Sequence, residues 1–107
     1  KAAEQRLPEA MNEYGKALME GRGCQRNQDL AVLMFQTAAE AGRGSAHGEG
    51  AYLLGVCLVN GVGKLGEEDE GERKETARRA FKAALQFDSS PETKRKADSA
   101  LNDLGEA

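Results

Sequence analysis

The chain has 107 residues, 39% of them hydrophobic and 31% charged, with 13 Gly, 2 Pro and no Trp. At this length a single small domain, or a short array of units, buries about two-thirds of its unfolded surface. A formal net charge of −3 supplies no dominant basic surface for a phosphate backbone, so nucleic acid is disfavoured as a partner. The longest uncharged run, 51–63, is too short to cross a bilayer and contains Asn60, and no secretory or transit segment is visible at the start, so no membrane role is expected.

Ala2-Ala3-Glu4 matches Ala38-Ala39-Glu40, so residues 1–7 read as the tail of a preceding repeat. Pro8 fits a first helical position and Glu9 complements the positive helix end, which predicts a helix from Pro8 to Glu20. Its apolar or small stripe is Ala10, Tyr14, Ala17 and Leu18. Gly21 and Gly23 close it, and Asn27 with Asp29 in the next turn predicts a second helix running to Ala41 and stopping at Gly42. Leu30, Ala31, Met34, Phe35, Ala38 and Ala41 share one face of that helix, so the two segments form an antiparallel hairpin.

GRGSAHGEG, residues 42–50, is rich in breakers and reads as a linker. The hairpin then recurs. Tyr14-Gly15 corresponds to Leu54-Gly55, Gly21 to Gly61 and Gly23 to Gly63 at an offset of 40, whereas Ala31, Phe35 and Ala38 correspond to Ala77, Phe81 and Ala84 at an offset of 46. The difference is the acidic insertion KLGEEDEGE, 64–72, in which Asp69 and Glu72 form a capping box for a helix from Glu70 to Phe87. Ser90, Pro91 and Glu92 start a last helix, 91–104, whose Ala100 and Leu104-Gly105 echo Ala10 and Tyr14-Gly15. The expected organisation is one all-α domain. It comprises repeat one at 8–42, a linker at 43–50, repeat two at 51–88 and, at 90–105, either the first helix of a third repeat or a capping helix. One hairpin cannot bury its own apolar face, so about two and a half such repeats stack as a right-handed α/α superhelix with a concave side.

These residues resemble A-x-x-x-L-G-x-x-Y-x-x-G-x-G-V followed by D-x-x-K-A-x-x-W-Y-x-x-A-A-x-x-G, the pattern of the Sel-one-like repeat, a relative of the tetratricopeptide repeat. Ala10, Gly15, Gly21, Gly23, Ala31, Ala38, Ala39 and Gly42 match it identically in the first unit, as do Leu54, Gly55, Gly61, Gly63, Ala77 and Ala84 in the second. Departures are Leu30 and Thr76 for Lys, Arg73 for the capping Asp and Lys64 for Val. The resemblance implies a non-enzymatic scaffold or adaptor that binds a peptide or partner protein along its first helices. The corresponding groove positions are Asn12, Lys16 and Met19, then Tyr52, Val56, Val59 and Asn60, with Glu9 and Glu49 at the margin. Tyr52, Val56 and Val59 either receive an apolar anchor or pack against the fifth helix. A structural subunit using its convex face, ends or acidic loop is the alternative reading. Where some family members carry a disulfide, this chain has Ala39 and Ala51, which together with two unspaced cysteines favours a reducing intracellular compartment.

Other chemistry fits less well. Gly61-Val62-Gly63-Lys64-Leu65-Gly66 is a literal G-x-G-x-x-G, but four acids follow where a pyrophosphate would sit, so a nucleotide-binding domain is disfavoured. His47 stands alone, which leaves neither a catalytic dyad nor a multi-histidine metal site. Cys24 and Cys57 read as packed thiols, and the acidic run 67–72, Arg78-Arg79 and Lys94-Arg95-Lys96 as solvated faces. No catalytic residue, cofactor, metal or small-molecule substrate is expected.

Overall fold

The computed structural model describes residues 2–41, 45–86 and 90–104. Among them are five α-helices and one 3-10 turn: α1 (Ala2–Glu20), α2 (Gln28–Ala41), α3 (Ser45–Asn60), the 3-10 turn Gly63–Glu67, α4 (Glu70–Gln86) and α5 (Pro91–Asp103). Consecutive helices pack on one another, and α3 touches each of the other four. Gly42 and Phe87, on which helix ends were expected, and Gly105 lie outside the described residues.

The helix starts follow local hydrogen-bond chemistry. The Asn27 side chain accepts from Leu30 N at 3.1 Å, Asp69 Oδ2 from Glu72 N at 3.0 Å and Ser90 Oγ from Thr93 N at 3.2 Å, each satisfying a donor that the first turn leaves without a partner. The insertion in the second hairpin is absorbed as an extra turn of α4 and the 3-10 turn before it. Arg73, at the place of the expected cap, serves another helix. Its Nη1 donates to Leu58 O at 2.7 Å, and its charge sits at the carbonyl end of α3.

The two hairpins close on the same contact. A Cβ on Gly15 would stand 2.5 Å from Phe35 Cε1, and one on Gly55 would stand 2.6 Å from Phe81 Cε1. Both phenylalanines are buried, as are Ala31 and Ala38 beside the first and Ala77 and Ala84 beside the second. The two chain reversals share a bond: Arg22 N donates to Ala17 O at 3.0 Å and Val62 N to Cys57 O at 3.1 Å.

Three expectations need correction. First, α1 begins at Ala2, so residues 2–7 continue it rather than forming a separate tail, and Pro8 lies inside the helix. The strong helix formers Ala2, Ala3, Glu4, Gln5 and Arg6 outweigh the preference of proline for a first turn. Second, the buried face of α1 is Asn12, Gly15 and Leu18, while Ala10 and Tyr14 are exposed. Third, residues 45–50 of the expected linker 43–50 are helical, because α3 starts at Ser45. Gly48 and Gly50 are buried in it, and a Cβ on Gly50 would stand 2.9 Å from Ala39 N. Gly50 admits a close helix crossing rather than breaking a helix.

Candidate interaction surface

Three shallow depressions lie along α1, α3 and α5 and share residues, so they form one continuous surface. The first, of about 290 Å3, is bounded by Lys16, Glu49, Tyr52, Leu53 and the α5 residues Thr93 and Lys96. The second, of about 180 Å3, shares Lys16 and Leu53 with it and adds Met19, Val56 and Cys57. The third, of about 250 Å3, shares Tyr52 with the first and Val56 with the second, and runs on to Val59, Asn60, Ala100 and Leu104.

Six of the seven expected groove residues are brought together here. Lys16, Met19, Tyr52, Val56 and Val59 are half-buried in it and Asn60 is exposed at its end. The two readings of the α3 residues turn out to be compatible. Tyr52, Val56 and Val59 pack against the core that includes Ala97 and Leu101 of α5, and still leave one side open to solvent. Tyr52 is held by the ring of Phe81, with centroids 5.8 Å apart and a 45° tilt.

Asn12 is the exception, with 0% exposure. Its Nδ2 donates to Glu49 Oε1 at 3.5 Å, which makes it a brace between α1 and α3 and removes it from the accessible surface. Lys16 completes the brace. Its Nζ lies 2.6 Å from Glu49 Oε2 and 3.2 Å from Glu13 Oε2. Burial works to lower the Lys16 pKa, but the hydrogen bonds and charges of Glu49 and Glu13 together exceed that, and the net direction is upward. A carboxylate arriving from a partner would have to displace Glu49 to reach this amine.

Sequence reasoning missed Leu53, which belongs to two of the depressions. Leu53 and Leu54 are adjacent on a helix with neighbours on every side, and such a helix has no polar stripe to orient its residues. It also read the rim charge incompletely. Glu9, Glu20, Glu49, Glu92 and Asp103 line the surface against only Lys16 and Lys96, and Lys96 is 3.7 Å from Glu92. The surface therefore has an apolar floor and an acidic rim.

Elsewhere, helix α3 rather than a strand precedes Gly61, and the 3-10 turn rather than a long helix follows it, so the G-x-G-x-x-G run lacks the setting of a dinucleotide site. His47 falls on α3, and its side chain lies outside the described residues. Cys57 is buried, which pushes its thiol up to about 11, while Cys24 is half-exposed. Among the described residues no group of three or more His, Cys, Asp or Glu is placed to hold a metal, and no helix is long and apolar enough to cross a membrane. Comparison with family models, with curated proteins and with solved structures found no match.

Proposed function

We propose that the chain is a non-enzymatic protein-interaction module, built of stacked helix-hairpin repeats, that binds a peptide segment of a partner protein along α1, α3 and α5. The observation that carries this reading is the continuous apolar floor of Met19 on α1 and Leu53, Val56 and Val59 on α3, bordered by Ala100 of α5 and by Leu104 at its C-cap. Apolar side chains of the ligand seat on that floor and supply affinity, since desolvated central anchors dominate such interfaces. The acidic rim sets specificity for Lys or Arg flanking those anchors, and Asn60 offers both a donor and an acceptor to ligand backbone. Lys16 acts by bracing Glu49 rather than by holding a ligand carboxylate.

Selection of peptides from a random display library on the immobilised chain tests this. Selected peptides should pair apolar anchors with Lys or Arg, bind less well as salt is raised, and weaken at least about tenfold against a Met19→Lys, Val56→Lys variant of unchanged helicity. Peptides that are acidic, or that bind the variant equally well, would refute the reading.

A further inference from the structure

The side of the second hairpin that faces the first is covered in a specific way. Gly50 of α3 lies against Ala38 and Ala39 of α2, Leu54 packs into both hydrophobic clusters, and Asp29 in the first turn of α2 reaches across. Asp29 Oδ1 accepts from Lys64 N at 2.7 Å and fills the space into which a Cβ on Gly63 would project.

The same positions on the first hairpin are open. Ala10 stands for Gly50 and is exposed, Tyr14 stands for Leu54 and is 48% exposed, and Gly23 stands for Gly63 with nothing within 4 Å of its added Cβ. Tyr14, Leu18, Cys24 and Leu30 border a depression of about 360 Å3 on this side, with Arg26 at its edge. Leu33, one turn beyond Leu30 on α2, is 52% exposed. Tyr14 and Leu33 are the large hydrophobic residues most exposed among those described.

We propose that this outer face of the first hairpin docks a helical hairpin of a partner chain whose second helix carries a carboxylate in its first turn and small apolar residues after it. The carboxylate takes the position beside Gly23 and the Cys24 amide that Asp29 takes beside Gly63 and the Lys64 amide. Arg26 adds charge complementarity for it, and Tyr14 is covered. A second copy docking head to tail does not meet this description, because the outer side of α5 presents Arg95, Asp98, Ser99 and Asn102.

Cys24 reports on the face, since the burial of Cys57 slows the other thiol. The probe is the α1–α2 hairpin itself, residues 2–41 with Cys24→Ser, tethered by a Gly/Ser linker to the start of the full chain. Docking should slow alkylation of the full chain's Cys24 at least about tenfold and raise helicity, and Asp29→Ala in the appended hairpin should reverse much of the protection. An unchanged Cys24 rate, whether or not the appended segment is helical, would overturn the proposal. So would protection of Cys24 in the parent chain as its concentration is raised, with a dimer in sedimentation, because a second copy would then be the occupant.

Discussion

The two hairpins share a backbone plan and differ in what lies on their N-terminal sides. Leu54 is wedged between two helix pairs, whereas Tyr14, its counterpart, faces solvent. Gly63 is pressed by Asp29 and Gly23 by nothing. Equivalent sequence positions therefore carry different energetic weight, which depends on whether a neighbour is present. This is the expectation for units whose stability is a sum of internal packing and nearest-neighbour interfaces.

The comparison can be broken first at the contacts the hairpins share. Phe35→Ala and Phe81→Ala each remove a buried ring that rests on a helical glycine, and both should cost about 3–5 kcal/mol in urea denaturation. A domain of this size has only about 5–10 kcal/mol to lose, so either variant should be largely unfolded by modest denaturant. If one phenylalanine were dispensable, the hairpins would not be equivalent.

The glycine pair sharpens the contrast. Gly23 and Gly63 both sit at positive φ, 69° and 59°, so alanine at either should cost about 1–2 kcal/mol in backbone strain. Gly63→Ala must also displace Asp29 and should cost clearly more than Gly23→Ala in the same titration. Asp29→Ala isolates the latch itself and should cost about 1 kcal/mol, the net worth of one hydrogen bond.

A different kind of test lies in the pH dependence. The Cys57 thiol is raised by burial from the ordinary 9.0 to about 11. A group raised on folding contributes stability that is intact below about pH 9 and lost as pH climbs through 11. Lys16, also raised, acts in the same direction. A Cys57→Ala chain, although less stable throughout, should show a flatter loss between pH 9 and 11 than the parent, measured by thermal melts.

How much of this was legible depended on what marks a residue leaves in the sequence. The paired glycines at 15 and 55, 21 and 61, and 23 and 63 were readable, because close approach and positive φ exclude other side chains. Caps at Asn27, Asp69 and Ser90 were readable for a similar local reason. Asn12 was not, because a polar residue reads as exposed unless its partner, here Glu49 far along the chain, is known. Gly50 was mistaken for a breaker because a glycine needed for a tight crossing looks the same as one needed for a turn. Ala10 and Tyr14 were assigned to the core because a small and an aromatic residue at helical spacing read as an apolar stripe; their counterparts Gly50 and Leu54 are buried and half-buried. The pattern was real, but the neighbour that buries the counterparts is missing from this side of the first hairpin. Of the residues expected in a groove, Lys16, Met19 and those of α3 line the depressions along α1, α3 and α5, and the acidic rim emerged only when α5 was seen to approach α1 and α3.

The most direct measurement is the stability of Leu54→Ala beside that of Tyr14→Ala, each by urea denaturation of the full chain. Leu54→Ala should cost about 2–4 kcal/mol and Tyr14→Ala no more than about 0.5 kcal/mol. Equal and large costs at both sites would mean that the outer face of the first hairpin is already covered, and would contradict the account.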